Sequence, residues 1–236
     1  LCGLLATDME STAVDRDGVR LVDALREAGL ADVPRTRLEP ERYAPGVTML
    51  KTKQDDEWWL ITQPAHAELA GQMAAHWGND TFASPGHFAT STHPDSLKQE
   101  VLLAIAEHDN GWWEWEADPA LSPDNALPQG LAEVVANPEQ GMERWRKGIP
   151  RLAANHPYAS LLISDHASWL YTAQFDPQHS QEFTHPLQAQ RSLYPPDQRK
   201  RAKGFVSEVR ATQATLTQRL KQDPFWRSAL DAEHRW

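Results

Sequence analysis

The sequence predicts a mainly α protein, a helical bundle with a small β-hairpin towards its front. Three observations carry that expectation. Apolar residues recur at helical spacing in several separate stretches. Proline and glycine punctuate those stretches where helices begin and stop. Strand-type alternation is confined to one short segment, residues 47–63.

Taken in order, residues 1–44 read as a separate N-terminal piece lying over the main domain. "RDGVRLVDALREAGL" places Val19, Leu21, Val22, Leu25 and Leu30 as one amphipathic helix, and the proline-bearing "ADVPRTRLEPERYAPG" reads as a linker. Residues 45–236 form the main, helical domain. It opens with two short strands in "VTMLKTKQDDEWWLITQ", joined by the polar turn "QDDE". "PAHAELAGQMAAHWG" follows as a helix, with Pro64 at its start and Gly78 at its end. His66, Leu69, Ala70, Met73 and Trp77 fall on its apolar stripe, and His76 lies off it in solvent.

Residues 78–95 are a loop rich in Gly, Pro, Ser and Thr. "SLKQEVLLAIAEHD" is the next helix, capped by Ser96, with Val101, Ala104, Ile105 and His108 on one stripe. Gly111 stands where a helix commonly stops. Residues 116–137 read as a loop long enough to wall a pocket. "PEQGMERWRKGIPRLAAN" is helical, with an interruption near Gly148 and Pro150. "HPYASLLISDHASWLYTA" is a strong helix with Leu162, His166, Trp169, Leu170 and Ala173 on one face. The tail, about 196–222, is a long charged helix ending before "DPFW".

Composition narrows the function. The hydrophobic fraction of 40% and charged fraction of 24% are those of a globular protein, and no apolar run approaches the roughly 18 residues a membrane helix needs. The opening "LCGLLATDME" lacks the basic flank and length of a secretory signal. A net charge of -10 disfavours a nucleic-acid partner, and the run "RKRAKG" at 199–204 reads as a solvated helix start. One cysteine, Cys2, excludes an internal disulfide and a cysteine-rich zinc site, and suits the cytoplasm. The expected partner is a small-molecule substrate, with assembly into homo-oligomers left open. There is no glycine-rich phosphate or dinucleotide loop and no Gly-x-Ser-x-Gly, which turns the reading away from nucleotide-cofactor redox and serine hydrolysis.

Ten histidines are the unusual component. Three helices each carry one on an apolar face: His66, His108 and His166, with Asp109 beside the second. Imidazole and carboxylate suit Fe, Mn, Co or Zn, and one or two such divalent ions per chain are the expected cofactor. Adjacent His108 and Asp109 can reach one ion only where their helix ends, which Gly111 allows. The alternative is that each histidine is a satisfied core or cap residue. Burying several unpaired imidazoles would cost about 1–3 kcal/mol each, so three together bring a shared cation level with that alternative. Asn110 and Asp80 are candidates to orient substrate or a ligand. His156, ahead of Pro157, is read either as a helix-start residue or as a second-ion or anion ligand. His87, His93, His179 and His185 lie in loops and are read as solvated. Trp112, Trp113 and Trp115 are core or an aromatic wall, and Glu114 and Glu116 solvated acids.

"ITQPAHAELAGQMAAHWG", "AIAEHDNGWWEWEADP" and "HPYASLLISDHASWL" together resemble a bacterial family of uncharacterised function. Its pattern is Gln-x-x-His-Ala, then His-Asp-x-Gly-Trp, then a Ser-x-His helix, and the likeness spans about residues 47–175. At one remove, His66 followed by His108-Asp109 looks like the HD-domain superfamily. Those helical proteins bind metal through a His, a His-Asp pair and a distant Asp. The resemblance implies metal-dependent hydrolysis, most often of phosphate esters, while some relatives with two irons are oxygenases. By that likeness His66, His108 and Asp109 are ligands. The chain departs at the last ligand, where the matching helix offers His166, with Asp165 second.

The expectation is therefore a metal-dependent hydrolase of a small phosphate ester or amide, with His66, His108, Asp109, His166 and Asp165 around the metal. Asp109, Asn110 and His156 would take part in the chemistry. A di-iron oxygenase and a non-catalytic helical protein are the alternatives.

Overall fold

The computed structural model describes residues 50–54, 57–87, 94–119, 121–122, 126–130, 137–176 and 194–231. The expected helix and linker in residues 1–44, and His93, His179 and His185, lie outside the described residues.

Strands β1 (Leu50–Gln54) and β2 (Glu57–Ile61) pair antiparallel from Leu50↔Ile61 to Gln54↔Glu57. Trp58, Trp59 and Ile61 of β2 are all exposed. One residue later helix α1 (Gln63–Ala75) begins, where the Thr62 hydroxyl accepts the Ala65 N–H at 3.0 Å and Pro64 sits in the first turn. Its buried row is Gln63, Ala67, Ala70, Gly71 and Ala74, which differs from the expected stripe. His66, Leu69 and Met73 are only half-buried and Trp77 is exposed. The reason is size. Small residues let α1 lie hard against α2 (Pro94–Ala106), and a Cβ on Gly71 would stand 2.6 Å from that of Ala106.

Helix α2 starts two residues before the expected cap, so Ser96 lies inside its first turn. It buries Leu97, Val101 and Ala104. A turn at 107–109 leads to a 3-10 turn (Asn110–Trp112) and the short α3 (Trp113–Ala117), which takes up the front of the expected loop. Helix α4 (Pro138–Arg151) is unbroken, contrary to the interruption expected near Gly148 and Pro150. Pro150 falls one residue from the helix end, where its missing N–H removes a single bond from a turn that is already closing.

Helix α5 (Pro157–Thr172) is the centre of the bundle, packed by α2, α4 and the long α6 (Pro196–Leu220). Because it is covered on several sides, its buried residues are Tyr158 to Leu161, Ile163, Ser164, Ala167, Tyr171 and Thr172. Of the expected face only Ala173 is buried; Leu162, His166, Trp169 and Leu170 are half-buried. The core has two parts. Met142, Trp145, Ile149, Ile163 and Phe205 pack in one; Leu97, Val101, Tyr158, Leu161 and Leu216 in the other. The last helix, α7 (Pro224–Asp231), adds Leu230 and stacks Trp226 on Tyr158 with ring centroids 4.9 Å apart. No helix among the described residues is long and apolar enough to cross a membrane.

Candidate metal centre

Helix α1 is held at its start by two acceptors. Thr62 takes the Ala65 N–H, and the carboxylate Oε1 of Glu116 takes the Gln63 N–H at 2.7 Å. His66 stands one turn further along. Helix α2 ends at Ala106, and the chain leaves the helical path through Glu107 to Asp109 before its next turn begins at Asn110. That departure lets two consecutive side chains, His108 and Asp109, face the same point, as neighbours on a regular helix could not.

His108 and Asp109 are both buried. The His108 Nδ1–H donates to the carbonyl oxygen of Ile105 at 2.7 Å. A carbonyl can only accept, so Nδ1 carries the proton, and Nε2 turns towards Asp109 Oδ2, 3.2 Å away. The His66 ring meets His108 edge-on with centroids 5.5 Å apart, and the His166 ring does so from α5 at 5.4 Å. Trp145 closes on His166 at 5.5 Å. One ligand atom from each of His66, His108 and Asp109 lies within 4.8 Å of the others.

Of the five expected ligands, then, His66, His108 and Asp109 come together. His166 touches the His108 ring without belonging to that close trio, and its neighbour Asp165 does not belong to it either. His156 is elsewhere engaged: it precedes α5, and its Nδ1 lies 2.7 Å from Glu100 Oε1. Glu100 Oε2 accepts the Ala159 N–H at 3.1 Å, so the pair caps α5, as the helix-start reading of His156 has it. Asp80 and His87 are exposed. His76 is exposed too, its Nδ1 2.9 Å from the Gln72 carbonyl.

The donor set fits a cation. Burial keeps the His66 imidazole below its ordinary pKa, against a smaller pull from Asp109. Burial alone would push the Asp109 carboxyl up, but the charge and hydrogen bond of His108, with help from His66 and His166, hold it below the ordinary value. A carboxylate oxygen and an imidazole lone pair facing one another at 3.2 Å need a positive charge, either a proton or a metal ion. The separation suits two donors on one ion with bonds of about 2.1 Å.

The surroundings hold residues whose role was not foreseen. Glu116, read as a solvated acid, is buried, and burial pushes its carboxyl up to about 7, partly opposed by the Gln63 N–H and reinforced by Asp109. Glu114 is exposed as expected and pairs with Arg151, which also reaches the backbone oxygen of Asn110 and lies over Trp113. Trp112 is core and Trp113 exposed. With Trp115, Trp112 also clamps a cation: the buried Arg144 guanidinium lies 4.0 Å from the Trp112 ring centre and 4.2 Å from that of Trp115. Asn110 is buried, and neither amide atom has a hydrogen-bond partner among the described residues. It presses on α4 at Gly148, where a Cβ would stand 2.5 Å from Asn110 Oδ1 and 2.8 Å from the Gly111 nitrogen. A Cβ on Gly111 would in turn fall on the Arg144 carbonyl, so the two glycines let the ligand-bearing turn seat directly on α4.

Both surprises had a signal. Glu116 is four residues after buried Trp112, a spacing that puts it on the inner side once this stretch is helical. Arg144 sits in the row Gly141, Arg144, Trp145, Gly148 that α4 buries.

No curated protein and no solved structure matches the chain. The sequence family described as "Protein of unknown function (DUF3891)" matches residues 49–235, so the chain belongs to the DUF3891 family.

Proposed function

We propose that this protein is a metal-dependent hydrolase of a small molecule, built around one divalent ion of the Fe, Mn, Co or Zn class. The observation that carries the reading is the convergence of His66 from α1 with His108 and Asp109 from the turn after α2, one ligand atom from each within 4.8 Å. A bound ion of this class lowers the pKa of water and polarises a phosphoryl or acyl oxygen.

The chain's own residues supply the rest. Ile105 holds His108 in the tautomer whose Nε2 lone pair turns towards Asp109 and would ligate the ion. Asp109 contributes the negative charge, and His66 a neutral imidazole. His166, edge-on to His108, adds a third imidazole from α5 beside the trio. Asn110, next to Asp109 and with an amide that has no partner among the described residues, would orient a substrate. The order His, then His-Asp at a helix end, agrees with the HD-type likeness of the sequence. A two-iron oxygenase would draw on His156 or Asp165 as well; Glu100 holds His156, and Asp165 is not part of the close trio, so the single-ion hydrolase is preferred. The lone cysteine of the chain goes with a cytoplasmic setting.

The test is turnover of chromogenic phosphate monoesters and amides by the metal-loaded chain, with and without oxygen. The reading expects oxygen-independent hydrolysis of one class, abolished in Asp109→Asn. Oxygen-dependent turnover, or hydrolysis unchanged in Asp109→Asn, would replace it.

A further inference from the structure

Arg144 is the feature that the metal centre leaves unexplained. It is 5% exposed, and its Nη1 is buried without a hydrogen-bond partner among the described residues. The two indoles meet at 81° with ring centroids 5.7 Å apart, so they shield the guanidinium from two adjoining sides and offer it no acceptor. Glu116 and Glu143 lie near enough to act on its charge, but neither hydrogen-bonds it. Glu116 gives Oε1 to the Gln63 N–H while its buried Oε2 bonds no described residue, Arg144 included, and Glu143 is exposed. A buried guanidinium costs stability unless its edge is satisfied, so a partner from outside the described residues is called for.

Position says what that partner meets. Trp112, which stacks on Arg144, is three residues beyond Asp109. Trp145, the next residue on α4, lies edge-on to His166. Asn110, with both amide atoms unpartnered, packs on α4 at Gly148, one turn from Arg144. Arg144 therefore lies against the segment that directly follows Asp109, its backbone at Gly111 and its guanidinium on Trp112, and it carries the planar group that pairs with carboxylate or phosphoryl oxygens.

We propose that the edge of the Arg144 guanidinium binds an oxyanion of the substrate, next to the metal centre. This rests on the metal-centre reading for what lies alongside, and it narrows the substrate to an acidic small molecule. The oxyanion is a phosphoryl or a carboxylate group.

Titration of inorganic phosphate, and separately of acetate, into the zinc-loaded full chain tests it. Arg144→Gln and Arg144→Lys are titrated alongside, with zinc content measured on every sample. Binding to the wild type should weaken by about tenfold or more in Arg144→Gln at unchanged zinc content. Arg144→Lys should fall between, since it keeps the charge and loses the fork. Tighter phosphate marks a phosphoryl substrate and tighter acetate a carboxylate. Affinities unchanged in both variants, or no binding of either anion to the loaded wild type, would overturn the proposal. A chain that takes no zinc, yet binds anions through Arg144, would remove the metal centre and keep the subsite. Should neither variant fold, the arginine-labelled wild type decides: the Nε–H resonance displaced by two flanking indoles must move on adding phosphate. A stationary signal would overturn the proposal.

Discussion

The Nδ1–H of His108 donates to the carbonyl oxygen of Ile105, 2.7 Å away and three residues earlier in the chain. This bond uses a carbonyl near the end of α2 to choose which ring nitrogen faces Asp109. Free imidazole prefers the other tautomer, so the choice is a testable property of the fold. In the zinc-loaded chain, nitrogen NMR should find His108 protonated on Nδ1 and without a proton on Nε2. A proton on Nε2 with zinc bound would mean that the ring is turned and the ligand set is wrong.

Glu116 predicts a pH dependence of stability. Its carboxyl, ordinarily at 4.5, is pushed up to about 7 by burial. Between those values the folded chain keeps a proton that the unfolded chain has released. Rising pH therefore favours unfolding across that window, and this residue's contribution is best below 4.5 and flat above about 7. Glu116→Gln keeps an acceptor for the Gln63 N–H and removes the titration. Denaturant unfolding in chelator should show the variant gaining about 2 kcal/mol on the wild type between acid and neutral pH, at roughly 1.4 kcal/mol per unit and allowing for solvent. Parallel curves would contradict it.

Gly148→Ala should loosen the seat of the ligand-bearing turn. The new methyl would meet Asn110 Oδ1 and the Gly111 nitrogen, and either the turn or α4 must shift. A stability loss of about 1–3 kcal/mol is expected, typical of overpacking, together with weaker metal binding. Metal affinity equal to that of the wild type would show that the turn is not seated as described.

His156 and Glu100 separate capping from ligation. Glu100→Ala removes the acceptor for the Ala159 N–H at the start of α5 and should cost about 0.5–2 kcal/mol. His156→Ala, which removes a half-exposed partner, should cost under about 1 kcal/mol. Both should leave metal content unchanged, as measured on the purified variants. Loss of metal in His156→Ala would restore it to the site.

The trio was legible because its cues are local. His66 follows a proline-marked helix start, and His108-Asp109 precede the glycine that lets the chain leave its helix. The helices followed from periodicity and punctuation for the same reason. What escaped depends on how helices meet. The small row of α1 rotated its buried face towards α2, away from the larger Leu69, Met73 and Trp77. Burial of Glu116 and Arg144 goes against their chemistry, and it is decided by the indoles and the helix end that surround them. The joint between Gly111 and Gly148 unites positions far apart in sequence, and neither residue alone announces it.

The convergence of His66, His108 and Asp109 on one cation is tested most directly by metal analysis of the purified chain, before and after reconstitution, beside His108→Ala. The account predicts close to one divalent ion per wild-type chain and almost none in a folded His108→Ala. A wild type that stays free of Fe, Mn, Co and Zn when each is offered, or a His108→Ala variant that keeps its ion, would contradict it.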